Sequence, residues 1–123
     1  MPKPLRVILA DDEALARARL ADLLMDLSDT FNVEIVAEAG NGIAALERAA
    51  DTPADVILLD IQMPGMNGLE TARNIAALKR PPAIVFVTAF DEHALRAFEL
   101  RAVDYLLKPV RLARLREALS RLK

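Results

Sequence analysis

The residues with the most chemistry to offer are Asp11 and Asp12, an adjacent acidic pair followed by Glu13, and Asp60, which closes the apolar run Val56–Leu59. Thr88 follows the run Ala83–Val87, and Lys108 follows Tyr105–Leu107. Brought together, the carboxylates of Asp11, Asp12 and Asp60 would repel one another, and repulsion raises carboxyl pKa values. A hard divalent cation relieves that repulsion through oxygen ligands. Mg2+ suits a site of few carboxylates, because it keeps several waters and completes its shell with phosphate oxygens. The competing reading is that Lys108 alone balances the acids, but one ammonium is an incomplete match for three carboxylates. A carboxylate beside such an ion can attack a phosphoryl donor. The metal and Lys108 would then stabilise charge on the transferring oxygens, while the Thr88 hydroxyl donates to another of them. Ala89 is small enough to leave room for the incoming group.

The elements that would position these residues follow from hydrophobic patterning. Leu5–Ala10, Val33–Ala37, Val56–Leu59, Ala83–Val87 and Tyr105–Leu107 are short apolar runs, mostly continuous rather than alternating. Such runs suit strands whose sheet is covered by helices on both faces. Helical patterns lie between them. Glu13 to Leu27 sets Leu20, Leu23, Leu24 and Leu27 on one stripe. A shorter helix over about Gly42 to Ala50 is expected to face Ile43, Leu46 and Ala50 inward. Another begins near Gly68 and carries Leu69, Ala72 and Ile75. Glu92 to Arg101 carries Leu95, Phe98 and Ala102 on one side. The last helix aligns Leu112, Leu115, Leu119 and Leu122. Asp51-Thr52-Pro53 and Arg80-Pro81-Pro82 read as turns before strands three and four. A β-α unit repeated five times implies parallel strands with helical crossovers. The expected architecture is α/β: a doubly wound, five-stranded parallel sheet, flavodoxin-like, with strand order 2-1-3-4-5. In such a sheet, ligands bind beyond the carboxyl ends of the strands. Asp11, Asp12, Asp60, Thr88 and Lys108 all follow strand ends, as do Glu38, Ala39 and Gly40 after strand two. Polar loops alone could explain any one of these residues. Their joint placement requires fold and polar positions to agree independently.

Composition narrows the alternatives. A chain of 123 residues with 54% hydrophobic residues can hold one domain with a real core. No cysteine is present, which excludes thiolate catalysis, zinc–thiolate sites and disulfides, and the single histidine is His93. No apolar run approaches the roughly 18 residues needed to span a bilayer. Residues Met1 to Arg6 do not read as a signal peptide, so a cytoplasmic location is expected. The net charge of −2 gives no general attraction to nucleic acid. From Lys108 to Lys123, however, Lys108, Arg111, Arg114, Arg116, Arg121 and Lys123 face one acid, Glu117. That run is either a DNA-binding stripe or, more simply, a solvated helix face, since no aromatic residue interleaves for stacking.

At this point the chain resembles a known family. Asp11-Asp12, the segment from Leu59 to Gly68, Val87-Thr88-Ala89, and Asp104-Tyr105-Leu106-Leu107-Lys108-Pro109 resemble the signature segments of response-regulator receiver domains, in order, over about Leu5 to Leu122. The resemblance implies phosphoryl transfer from a histidine kinase to Asp60 in a Mg2+-dependent reaction. Asp12 would bind the ion directly, Asp11 would assist through water, and the Gln62 backbone carbonyl would be a third ligand. Thr88 and Lys108 would grip the phosphoryl oxygens. Tyr105 would turn as Thr88 moves, and the Lys108–Pro109 peptide is expected to be cis. Thr88 to Glu99 and Ala102 to Val110 further resemble receivers of the LytR/AlgR class, which carry a LytTR DNA-binding domain. No effector domain is expected within residues 1–123, so contact with DNA would come only through a domain outside them. A homodimer through helix four, strand five and helix five is plausible, with helix-five arginines meeting Asp91, Glu92 or Glu99.

Simpler roles stand beside several of these. Tyr105 could be a fixed packing residue. Met63 and Met66 read as packing and loop surface. His93 reads as an exposed helix residue, with a pH-sensing role as the alternative. The family implies a phosphoacceptor that assists its own phosphorylation and dephosphorylation rather than an enzyme. A Mg2+ hydrolase would share the acidic cluster but usually needs a second acid two residues after its nucleophile, where Gln62 stands. A binding-only relative would be expected to lack one of the key groups. Flavin binding would rest on fold alone.

Overall fold

The computed structural model describes residues 3–122, with the Leu95 side chain excepted. Strands and helices alternate along the chain: β1 (Leu5–Ala10), α1 (Ala14–Asp26), β2 (Val33–Ala39), α2 (Gly42–Asp51), β3 (Val56–Leu59), α3 (Gly68–Ala76), β4 (Ala83–Thr88), α4 (Ala94–Glu99), β5 (Asp104–Leu107) and α5 (Leu112–Ser120). All strand pairs are parallel and the order is β2-β1-β3-β4-β5, as the sequence pattern implies. Val56–Leu59 is buried on both faces, which is why this strand is purely aliphatic. The sheet separates two apolar layers. One holds Ile8, Ile57, Leu59, Phe86, Leu69, Ala72 and Ile75. The other packs Val7, Leu9, Leu58 and Val85 against Leu20, Leu24, Leu115 and Leu119 of α1 and α5.

Register delivers the functional end of the sheet. Ala10 pairs with Leu59, and Thr88 pairs with Leu107. The ladder continues one step further: the Asp60 N–H donates to the Ala10 carbonyl at 2.9 Å, and the Lys108 N–H donates to the Thr88 carbonyl at 2.8 Å. Asp11, Asp60, Thr88 and Lys108 therefore follow one another across the carboxyl end of the sheet, with Thr88 of β4 between Asp60 and Lys108. α3 starts against this end. A Cβ at Gly68 would lie 2.2 Å from the Asp60 carbonyl oxygen, so only glycine lets the helix begin there.

Two helices present other faces than their apolar periodicity predicts. In α2, Leu46 is half-buried against the core as expected, but Ile43 is 63% exposed and Ala50 is also exposed, while Gly42, Ala45 and Ala49 are buried. The small face wins because α2 approaches closely: a Cβ at Gly42 would stand 2.4 Å from both the Met66 carbonyl oxygen and the Thr71 hydroxyl. In α4, Phe98 is 70% exposed and Ala97 is buried, with Ala102 half-buried. Leu95, placed on the same side as Phe98 by the sequence pattern, lies outside the described side chains. α4 is also shorter than Glu92–Arg101, spanning Ala94–Glu99, and Arg101 at φ 60 turns the chain out of the helix. Among the described residues, no helix is long and apolar enough to cross a membrane.

Candidate functional site

Asp11 and Asp60 are buried at the strand ends, while Asp12 is exposed beside them. Each buried carboxylate is held by a turn of its own loop. The Glu13 N–H donates to Asp11 Oδ1 at 2.9 Å, and the Gln62 N–H donates to Asp60 Oδ1 at 3.1 Å. Lys108 Nζ reaches between them, 2.7 Å from Asp11 Oδ2 and 3.0 Å from Asp60 Oδ2. The Lys108–Pro109 peptide beside it is cis, as expected.

The charge balance is unequal. Burial pushes the Asp60 carboxyl upward from its ordinary value, and the Asp11 charge adds to this; the Lys108 ammonium and Gln62 N–H oppose the rise without cancelling it. Burial pulls the Lys108 ammonium down, but its hydrogen bonds to Asp11 and Asp60 outweigh that pull and hold it above its ordinary value. Lys108 therefore stays charged and still leaves the cluster short of positive charge. Oxygens of Asp11, Asp12 and Asp60 lie within 4.8 Å of one another, a spacing that could hold a metal ion. An all-oxygen donor set with excess negative charge suits a hard divalent cation such as Mg2+.

Thr88 is fully buried at the end of β4, and its hydroxyl accepts from the Phe90 N–H at 3.5 Å. The Tyr105 hydroxyl donates to the Phe90 carbonyl. Its ring is half-buried and tilts at 52° to Phe86, with ring centroids 6.2 Å apart. Phe90 thus connects the threonine and the tyrosine through the two sides of one residue, a link absent from the sequence reading. Burial and the charges of Asp91, Glu92 and Asp60 push the Tyr105 hydroxyl above its ordinary value, so it remains a donor.

Two further arrangements escaped the sequence. Arg17 Nη1 donates to the Asp11 carbonyl at 2.6 Å while Nε pairs with Glu38 at 3.0 Å. Buried Asp104 accepts from Arg114 at 2.7 and 2.8 Å and also pairs with Arg121 at 3.3 Å. The basic run toward the C-terminus is therefore partly neutralised within the chain: Lys108 faces the acidic site, while Arg114 and Arg121 face Asp104 and Glu117. His93 sits at the N-terminal boundary of α4, partly buried, 3.5 Å from Glu92.

A doubly wound sheet with an acidic cluster, a lysine and a threonine at its carboxyl end is the arrangement that the receiver-domain resemblance implies. Over residues 7–120 the chain matches the response regulator receiver domain family, and it belongs to that family. It is 46% identical over 117 residues to the positive alginate biosynthesis regulatory protein of Pseudomonas aeruginosa, covering 95% of this chain and 46% of that protein. It is 42% identical over 119 residues to the sensory transduction protein LytT of Bacillus subtilis, covering 97% of this chain and 48% of that protein. Among solved structures, the receiver domain of AraT, a response regulator from Geobacillus stearothermophilus, matches with a TM-score of 0.86 at 36% identity. That match covers 98% of this chain and 93% of the other. These relatives agree with the LytR/AlgR resemblance. The chain spans about half the length of the curated relatives it matches.

Proposed function

We propose that Asp60 accepts a phosphoryl group from the phosphohistidine of a histidine kinase. The supporting observation is Lys108 Nζ lying within 3.0 Å of both Asp11 and Asp60 in a carboxylate cluster that remains short of positive charge. An Asp60 carboxylate oxygen attacks phosphorus, the bond from phosphorus to the donor nitrogen breaks, and its electron pair leaves with the donor imidazole. The product is an acyl phosphate. Asp11, Asp12, Asp60 and the Gln62 carbonyl would hold Mg2+, which supplies positive charge to the transferring oxygens when bound. Lys108, freed from its pairing with Asp60, follows the phosphoryl oxygens, and the Thr88 hydroxyl turns from Phe90 to donate to another.

Movement of Thr88 would be felt at Phe90 and so at Tyr105, altering the face formed by α4, β5 and α5. A homodimer through that face would draw on Phe98 and Leu107, which are exposed there, and on Asp91, Glu92 or Glu99 facing arginines of α5. Residues 1–123 would act as one receiver unit, switching transcription through a LytTR-type DNA-binding domain outside these residues. A cytoplasmic location, beside the kinase domain and DNA, follows from this reading. The protein is a phosphoacceptor that assists its own phosphorylation and dephosphorylation, not an enzyme turning over a separate substrate.

Intact mass after incubation with a small acyl-phosphate donor, with and without Mg2+, tests the acceptor chemistry. One phosphoryl group gained only with Mg2+, and lost in Asp60→Asn, is the expected result. No gain under any condition would leave a binding-only module as the better reading.

A further inference from the structure

Arg17 ends the first turn of α1, and its side chain is only 20% exposed. Nη1 donates to the Asp11 main-chain oxygen at 2.6 Å, and Nε donates to Glu38 Oε1 at 3.0 Å. The guanidinium also lies against Gly40, where an added Cβ would stand 3.7 Å from Nη1. The arrangement joins α1, the end of β1 and the end of β2 at the edge of the acidic cluster.

Charge alone accounts for the ion pair with Glu38 but not for the bond to the Asp11 main chain. A guanidinium beside three carboxylates competes with a divalent ion for the same field. Its hydrogen bond goes to a carbonyl rather than to any carboxylate of the cluster. The other polar groups of Asp11 are already engaged: its N–H donates to the Ala39 carbonyl at 3.0 Å, Oδ1 accepts from Glu13, and Oδ2 accepts from Lys108. The carbonyl is the remaining group, and it belongs to the peptide that carries the Asp12 nitrogen. The Asp12 side chain is exposed, so the main chain, rather than side-chain packing, sets where it starts from.

We propose that Arg17 is a positioning residue for the cation site: it pins the Asp11–Asp12 peptide, and Glu38 fixes the guanidinium for that role. The inference rests on the Mg2+-binding reading above. Geometry and charge predict opposite signs when Arg17 is removed. If Arg17 acted only as a nearby positive charge, Arg17→Ala would bind Mg2+ more tightly. As a positioning residue, its loss weakens binding, as the loss of an outer-shell partner does at other metal sites.

Calorimetric titration with Mg2+ and no phosphoryl donor, on wild type, Arg17→Ala and Arg17→Lys confirmed as folded by circular dichroism, tests this. Arg17→Ala is expected to bind about tenfold more weakly. Arg17→Lys should fall between the two, since an ammonium keeps the charge but not the fork that spans both acceptors. Equal or tighter binding by Arg17→Ala, with wild type binding normally, overturns the proposal. If Arg17→Ala does not fold, Arg17→Lys decides: weaker binding supports positioning and unchanged binding overturns it. A wild type that binds no Mg2+ removes the cation reading itself, and this inference with it.

Discussion

Lys108 connects the two buried carboxylates, so its removal has consequences beyond one lost contact. Without the ammonium, Asp11 and Asp60 face each other with only their N–H donors from Glu13 and Gln62. Breaking a buried pair by deleting one partner is strongly destabilising, because it leaves charge buried without compensation. Lys108 is 24% exposed, which places the effect toward the lower end of that class. Lys108→Met is expected to lower stability in chelator by about 3 kcal/mol. Part of the loss should return with Mg2+, which takes over the role of counter-charge. Urea unfolding with EDTA and then with Mg2+ measures both effects. A loss unaffected by Mg2+ would mean that the ammonium packs rather than neutralises. At this scale the sequence was informative where a residue follows a strand: Asp11, Asp12, Asp60 and Lys108 come together, and Thr88 adjoins Lys108 through the main chain. It was silent on Arg17 and Phe90. An arginine near the start of a helix has many possible partners, and a main-chain bond from Tyr105 to Phe90 depends on no side-chain type at position 90.

Elements differ in how firmly they are tied to the sheet. Asn41 and Asn67 cap α2 and α3, accepting from the Ala44 and Glu70 N–H groups at 2.8 and 3.0 Å. α1, α4 and α5 have no side-chain cap. Asn67→Ala is expected to destabilise by about 1 kcal/mol, read from the urea midpoint. α5 is tied to β5 instead through Asp104 and Arg114. Burial pushes the Asp104 carboxyl up, but the Arg114 hydrogen bonds, the Tyr105 N–H and the Arg114 and Arg121 charges outweigh it and hold the carboxyl below its ordinary value. Its folded value is thus lower than its unfolded one. The stabilisation is present above the ordinary carboxylate range and is lost as pH falls through the folded value. Asp104→Asn should therefore be less stable than wild type at neutral pH, with the difference closing in strong acid. Unfolding midpoints at pH 7 and at acid pH check this, and a difference independent of pH would point to packing instead. Element faces show where periodicity misleads. Ile43 and Phe98 outrank alanine in any hydrophobic pattern, yet α2 turns Gly42, Ala45 and Ala49 inward and α4 turns Ala97 inward. Small residues permit close approach, and tertiary contact decides the face when both stripes are apolar.

Across the whole molecule, the fold pays for its site in stability. Strand order, parallel direction and the meeting of Asp11, Asp60 and Lys108 follow from local pattern and handedness rules acting together. The same convergence gathers three carboxylates at one sheet end around a single ammonium. The mutual repulsion in such a cluster opposes folding, and functional sites commonly trade stability for activity. Two consequences follow for thermal unfolding. In chelator, Asp60→Asn removes a poorly balanced buried charge while keeping an oxygen for the Gln62 N–H, so its Tm should exceed that of wild type. With Mg2+ the order should narrow or reverse. Wild type gains stability by linkage, about 2.7 kcal/mol at a hundredfold excess over Kd, and the variant, lacking one ligand charge, gains less. Melting both proteins in EDTA and across a Mg2+ series separates a site built to wait for a cation from one already balanced. If wild type shows no Mg2+ response and Asp60→Asn is no more stable in EDTA, Lys108 alone satisfies the cluster.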